Sequence, residues 1–194
     1  MQTFNRNSTK TIVLGAILTA LVFVLQFMGS FIKFGLFSIS LVLIPIVIGA
    51  ATCSVKVSTW LGFIFGVAVL ISGDAAAFLA LNVAGTIITV LAKGTLCGLF
   101  AGLIYKAFEK KNRYLAVIAA AIVCPVTNTG VFFIGCLVFF IEQLTVWANA
   151  WNAEKNVIEY IILVLIGGNF IFELITDIIL SPVVVRLLNI KNKN

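Results

Sequence analysis

Six long apolar runs constrain the fold of this chain more than any other feature. They cover, approximately, residues 11–29, 36–53, 58–72, 77–106, 114–141 and 157–188. A helix needs about 20 apolar residues to cross the hydrocarbon core of a bilayer. Such continuous runs must be helical, because each backbone group needs a partner within its own segment, whereas barrel strands alternate over about ten residues. The sequence therefore predicts an all-α integral membrane protein, a single domain over residues 1–194 folded as a compact bundle of six transmembrane helices.

The composition excludes most other classes of protein. Of the 194 residues, 62% are hydrophobic and 10% are charged, against about 25% charged in an ordinary soluble domain. The chain has no GxxxxGK[ST], GxSxG or HExxH motif, so we expect neither ATP hydrolysis nor another enzymatic activity from it. Histidine is absent and the four cysteines lack CxxC spacing, so no metal or other cofactor is expected.

The basic residues predict the orientation of the bundle. Six spans place ten of the thirteen Lys and Arg residues on one side: Arg6, Lys10, Lys56, Lys106, Lys110, Lys111, Arg113, Arg186, Lys191 and Lys193. Lys33 and Lys155 fall on the other side, and Lys93 lies within a span. By the positive-inside rule both termini are predicted to be cytoplasmic. Because these basic residues are spread over four segments rather than set on one binding face, we do not expect nucleic acid as a partner. The lipid bilayer is expected to surround the bundle.

Small residues form strips at four-residue spacing on three of the predicted helices. Ala16 and Ala20 lie on one face of the first helix. Glycines repeat at positions 62 and 66 in the third, and at 94, 98 and 102 in the fourth. Such strips let two helices approach closely. Each strip has two interpretations: packing inside the bundle, or docking of a partner protein. The strip of Ala16 and Ala20 is a candidate for docking a partner protein.

Three ionisable residues lie at membrane depth, where a charge costs roughly 2.5–3.5 kcal/mol. Lys93 in the fourth span lies at a depth similar to that of Glu173 and Asp177 in the sixth. One interpretation is a structural ion pair between Lys93 and either acid. The other is that Lys93 faces a polar cavity and attracts a carboxylate or polar group of a ligand, and both can hold.

Neutral polar residues cluster around the same depth. The fifth span contains Thr127 and Asn128 directly after Pro125, and a proline removes one helical hydrogen bond. Three neighbouring positions of the fourth span and one of the sixth complete the set: Asn82, Thr86, Thr89 and Asn169. Such side chains are costly in lipid unless they line a cavity or pack on protein. The sequence predicts a small-molecule site among spans four to six, with a purely structural polar core as the alternative.

Two tryptophans lie four residues apart in a predicted polar loop over residues 142–156. Trp147 and Trp151 are flanked by asparagines. Tryptophan is common at membrane interfaces as an anchor. The alternative is that one of the two rings covers a bound ligand.

In these features the chain resembles the substrate-binding S component of an energy-coupling factor (ECF) vitamin transporter. The resemblance extends over nearly the whole chain and rests on the six spans, on Ala16-x-x-x-Ala20 and on the second-span stretch 40–50, SLVLIPIVIGA. The pair Lys93-Gly94 and the stretch 125–130, PVTNTG, add to it. Members of the family bind riboflavin, thiamine, biotin, folate, pantothenate, cobalamin and other micronutrients, and this chain most resembles the pantothenate-type and unassigned members.

The resemblance implies a function and a set of partners. It implies a multi-pass protein of the bacterial plasma membrane that captures a vitamin-like molecule near the outer surface. It implies that Ala16 and Ala20 dock on a transmembrane T component, which works with two cytoplasmic ATPases. Three alternatives stay open: a stand-alone secondary transporter that uses Lys93, Glu173 and Asp177 for ion coupling, an intramembrane enzyme, and an assembly protein without a ligand.

Overall fold

The computed structural model describes residues 6–31, 33–34, 37–38, 41–151 and 156–191. The helices are α1 (Arg6–Ser30), α2 (Leu43–Thr52), α3 (Val55–Ser72), α4 (Ala76–Leu79), α5 (Val83–Phe108), α6 (Arg113–Phe139), α7 (Ile141–Trp151), α8 (Val157–Tyr160) and α9 (Gly168–Lys191). A π-helical segment, Ile161–Gly167, joins α8 to α9. After α1, two-residue strands β1 (Lys33–Phe34) and β2 (Phe37–Ser38) pair antiparallel. The all-α expectation therefore holds apart from this small hairpin.

In the described part of the chain, five helical stretches are long and apolar enough to cross a membrane: Thr9–Ser30, Val55–Ser72, Val83–Phe108, Arg113–Phe139 and Val157–Pro182. The predicted second span, residues 36–53, is helical only over Leu43–Thr52. Ten residues give a helix about 15 Å long, about half the thickness of the hydrocarbon core. The helix of α2 alone is thus too short to be counted as a sixth span.

The short helix α2 lies at the centre of the bundle. It contacts α1, α3, α5, α6 and α9, and Leu43 and Ile46 are fully buried. The apolar side chains of α2 therefore face the other helices. The long helices keep many apolar side chains exposed instead, such as Ile17 on α1 and Ile134 on α6, as expected of helices surrounded by lipid.

Helices α3 and α5 cross so closely that glycines are required at the contact. A Cβ atom on Gly62 would overlap the carbonyl oxygen of Gly94, and one on Gly98 would overlap that of Ser58. These two glycine strips therefore serve packing inside the bundle, which was one of their two interpretations. Backbones without intervening side chains can approach closely in this way.

Two connections differ from the sequence-based boundaries. The predicted fourth span, 77–106, is broken between α4 and α5, because Asn82 adopts an extended backbone and its side chain caps α5 by accepting from the Gly85 amide at 2.9 Å. The predicted polar loop over 142–156 is wrong for residues 142–151, which are helical in α7. This helix buries Leu144 and Ala148 against the bundle, so its apolar face stabilises it despite the polar residues on the other side.

Candidate functional site

A cavity lies within the half of the bundle where α3 and α6 end and α5 begins, away from the 109–112 connection. Its volume is about 70 Å³. Side chains from α1, α3, α4, α5, α6, the π-helical segment, α9 and the adjoining turns line it: Gln26, Phe65, Val69, Asp74, Ala75, Phe78, Thr86, Thr89, Val90, Lys93, Asn128, Thr129, Phe132, Phe140, Leu165, Ile166, Phe170 and Glu173. An apolar pocket with a few convergent polar groups is the usual form of a small-molecule site.

The charged groups of the cavity come from two helices and a turn. Lys93 on α5 interacts electrostatically with Glu173 on α9 and with Asp74 in the turn after α3. The side-chain amide of Asn128 donates to Glu173 Oε2 at 3.5 Å. Glu173 is almost fully buried, so an opposite charge and a hydrogen-bond donor are needed to stabilise its ionised form. One basic and two acidic residues thus line the same cavity.

Two buried polar atoms of the cavity lining have no hydrogen-bond partner among the described residues. They are Asn128 Oδ1 and Thr89 Oγ1. Leaving a buried polar atom unsatisfied costs about 1–3 kcal/mol, and such atoms in a native protein call for an explanation. Because both residues line the same cavity, a bound molecule with polar groups would satisfy them.

Aromatic rings form much of the remaining wall. The Lys93 Nζ atom lies 5.5 Å from the ring centroids of both Phe65 and Phe132, within the range of a cation–π interaction. The rings of Phe78 and Phe140 pack edge to face at 5.0 Å. The cavity therefore combines an apolar aromatic surface with a small polar region around Lys93.

A polar contact that the sequence analysis missed ties α1 to the edge of the cavity. Gln26 on α1 is 2% exposed, and its amide donates to Asp74 and, at 3.2 Å, to Ser72. The signal was present, because an amide in an otherwise apolar helix is costly unless it finds a partner. Gln26 belongs to the first span, whereas spans four to six were expected to form the site.

Five of the residues in the predicted site come together in the cavity, namely Thr86, Thr89, Lys93, Asn128 and Glu173. Two others lie elsewhere. Asn82 caps α5 and borders a separate recess at the junction of α6 and α7. Thr127 is only partly buried on α6 and does not line the cavity, whereas Thr129, two residues on, does.

The two tryptophans do not line the cavity. Trp147 packs its ring on that of Phe78 at 6.2 Å, so it lies behind one of the lining rings. Trp151 is 47% exposed and lies 5.8 Å from the Tyr160 ring. The backbone of Asn169 belongs to α9, but its side chain is outside the described part of the structure.

Asp177 is buried one helical turn from Glu173 and does not line the cavity. Its Oδ2 atom has no hydrogen-bond partner among the described residues. Glu173 exerts an electrostatic influence on Lys93 and, as a like charge, on Asp177. An ion pair between Lys93 and either acid stays a prediction.

Ala16 and Ala20 differ from the glycine strips because both are exposed on α1. Their neighbours on the same face, Ile12, Ile17 and Val24, are also more than half exposed. The opposite face of α1 packs on the bundle through Leu18 and Val22. The strip of small residues thus lies on the outer surface of the bundle.

Comparison with protein families decides among the functions that such a cavity permits. The model of the family "ECF transporter, substrate-specific component" matches residues 10–188. This chain belongs to that family. The comparison with curated proteins and the comparison with solved structures each gave no match.

Family membership gives this S component its general function. It is a substrate-specific subunit of an ECF transporter, a membrane protein with several apolar helices, and not an enzyme. Membership implies a small-molecule substrate together with T and ATPase partners.

Proposed function

We propose that this S component captures a vitamin or a similar micronutrient at the outer face of the bacterial plasma membrane and holds it in the cavity among α1, α3, α5, α6 and α9. A T component and two cytoplasmic ATPases then power its delivery into the cell. The cavity supports this proposal by its position, since it lies in the half of the bundle away from the basic 106–113 segment. Under the positive-inside rule that half is the outer one.

The observation that carries the proposal is the pair of unsatisfied atoms in the cavity. Asn128 Oδ1 and Thr89 Oγ1 are buried without a partner among the described residues. An amide oxygen can only accept a hydrogen bond. A substrate with an N–H or O–H group would satisfy Asn128, and its apolar parts would contact the phenylalanine wall.

Pantothenate is the first substrate to test. It carries a carboxylate, an amide and hydroxyl groups, and the cavity offers an ammonium group on Lys93 and hydrogen-bonding groups on Asn128 and Thr86. Lys93 already interacts with two carboxylates, so an uncharged analogue such as panthenol belongs in the same experiment. Stronger binding of pantothenate than of panthenol would support a direct contact between Lys93 and a substrate carboxylate.

The side of α1 that faces away from the bundle is proposed to dock on the T component. Ala16 and Ala20 are exposed there among apolar neighbours. Small side chains allow a partner helix to approach closely where lipid would otherwise cover the surface.

The proposed topology has six membrane crossings and both termini in the cytoplasm. Five crossings alone would place the termini on opposite sides of the membrane. The sixth must therefore involve α2 (Leu43–Thr52). Burial of α2 among the other helices supports this arrangement, since a short helix can cross where protein rather than lipid surrounds it.

Binding without the other subunits tests the proposal. The purified S component is dialysed against an equimolar mixture of riboflavin, thiamine, biotin, folate, pantothenate and cobalamin, and the retained compounds are measured by mass spectrometry. We expect one vitamin to be retained. A single retained compound that is displaced by none of the others would identify the substrate, and retention of none would contradict the proposal.

The stand-alone secondary transporter is the second candidate, favoured by one observation. Asp177 is buried beside Glu173 with an unpartnered oxygen, which is a feature of proton-relay sites in transporters. Uptake into vesicles that contain the S component alone, driven by a proton gradient without ATP, would support this candidate. Dependence of uptake on the T component and the ATPases would support the first.

A further inference from the structure

Thr89 has a buried hydroxyl group without a hydrogen-bond partner among the described residues, unlike six other threonines on the helices. In the described part of the chain, six helical threonines donate to the carbonyl oxygen four residues earlier, at 2.6–2.8 Å: Thr19, Thr52, Thr59, Thr86, Thr95 and Thr145. This back-bond is the usual arrangement for a threonine inside a helix. Thr89 Oγ1 makes no such bond and is buried in the cavity wall.

Gly135 on α6 lies directly against Thr89. A Cβ atom on Gly135 would lie 2.5 Å from Thr89 Oγ1 and 2.9 Å from Thr89 Cβ, and it would overlap the Thr89 methyl group. Any side chain at position 135 would therefore displace Thr89. The absence of a side chain there lets α5 and α6 approach and lets Thr89 keep its place in the cavity wall.

Gly135 and Asn128 lie on the same face of α6. They are seven residues apart, which is about two helical turns and about 10 Å along the axis. Thr89 packs at the level of Gly135, whereas Asn128 contacts Glu173. The two unsatisfied atoms thus stand at different levels of one cavity, and they are suited to different parts of one molecule.

We infer that Thr89 is a specificity-determining residue whose hydroxyl group, kept in place by Gly135, binds one polar group of the substrate while Asn128 accepts from an N–H or O–H donor about two helical turns away. This inference rests on the proposed function. It describes the substrate as elongated and as polar at two separated points, with an apolar part between them that faces the aromatic wall. Asn128 requires a donor, and the hydroxyl group of Thr89 can meet either a donor or an acceptor.

The test removes the hydroxyl group without changing the shape of the side chain. Thr89→Val is compared with Thr95→Val, which lies on the same helix outside the cavity lining. The probe is the same equimolar mixture of six vitamins, measured by equilibrium dialysis and mass spectrometry. We expect Thr89→Val to bind the retained vitamin about tenfold to a hundredfold more weakly, and Thr95→Val to bind it like the unchanged protein.

A second set of variants tests the role of Gly135. Gly135→Ala should weaken binding at least as much as Thr89→Val, whereas Gly130→Ala should not, because nothing lies within 4 Å of a Cβ atom at position 130.

The outcomes separate the inference from the proposed function. Equal binding by Thr89→Val and the unchanged protein would overturn the role of Thr89 and leave the proposed function intact. If Gly135→Ala fails to fold, Thr89→Val still decides the question. Retention of no vitamin by the unchanged protein would overturn both, since there would then be no substrate in this cavity for Thr89 to select.

Discussion

The side-chain amide nitrogen of Asn128 on α6 lies 3.5 Å from the Oε2 atom of Glu173 on α9. This contact orients the amide, because the oxygen would be repelled if it faced the carboxylate. The amide oxygen consequently points away from Glu173 and has no partner among the described residues. One hydrogen bond between two helices thus leaves the acceptor of a cavity-lining residue without a partner among the described residues.

Replacing Asn128 by Leu keeps the size of the side chain and removes that acceptor. A substrate donor would then be buried without a partner, at a cost of roughly 1–3 kcal/mol. We expect about tenfold to hundredfold weaker binding of the retained vitamin, measured by calorimetry. Val126→Leu, on an exposed side of the same helix, is the control, and unchanged affinity in Asn128→Leu would refute the placement of the substrate.

A double-mutant cycle of Lys93→Met and Glu173→Gln separates two roles of Lys93. Lys93→Met alone leaves the buried Glu173 without its opposite charge, and we expect about 3 kcal/mol of lost stability. The double variant should regain most of that stability, because a buried ion pair adds little net free energy. We expect it not to regain affinity for the vitamin, since Lys93 would also contact the substrate.

The cycle is measured by thermal unfolding and by ligand binding in the same samples. Lys93→Met combined with Asp177→Asn is the comparison, because Asp177 does not line the cavity. Full recovery of binding in either double variant would contradict a substrate contact for Lys93 and remove the main argument for an acidic substrate.

Substituting Trp for Ala16 or Ala20 tests whether the side of α1 that faces away from the bundle docks on the T component. A large ring at either position would prevent the close approach of a partner helix but would not reach the cavity on the other side of α1. We expect uptake by the complete transporter to be lost and binding by the isolated S component to remain. Ile134→Trp, on the exposed side of α6, should leave both intact, and loss of binding in the α1 variants would show that these alanines support the bundle itself.

The contact between α3 and α5 predicts a large effect of a single methyl group. A Cβ atom on Gly94 would overlap the carbonyl oxygen of Gly62 and lie 3.0 Å from the amide nitrogen of Gly66. Overpacking of this kind costs typically 1–3 kcal/mol, so Gly94→Ala should lower the unfolding temperature in detergent. Gly130→Ala has open space and should not, and equal unfolding temperatures for both variants would contradict the observed crossing.

Reporter fusions at the two termini test the predicted topology. Six crossings place both reporters in the cytoplasm, and this requires α2 (Leu43–Thr52) to take part in a crossing. Reporters on opposite sides of the membrane would show that only the five long helices cross.

Hydropathy predicted the long helices of this protein well because in a bilayer every backbone group must be satisfied within its helix. It also identified Lys93, Asn128 and Glu173, since polar groups at membrane depth are costly and need a partner. These three residues come from three helices. Because they lie at a similar depth along their spans, the sequence predicted that they lie close together.

The sequence could not predict features that depend on contacts between helices. The role of Gly135 depends on the approach of α5 to α6 at Thr89, and no periodicity in α6 marks that position. The segment with Trp147 is polar enough to resemble a loop, but burial of Leu144 and Ala148 makes it helical. Asn82 was assigned to a site because of its polarity, whereas its position before α5 makes it a helix cap.

Equilibrium dialysis of the purified S component against the mixture of six vitamins tests the central claim most directly. If the cavity holds the substrate, the unchanged protein retains one vitamin without the T component or the ATPases. Asn128→Leu and Thr89→Val then retain much less of that vitamin. Retention of no vitamin, or equal retention by all three proteins, would contradict the claim that this cavity holds the transported substrate.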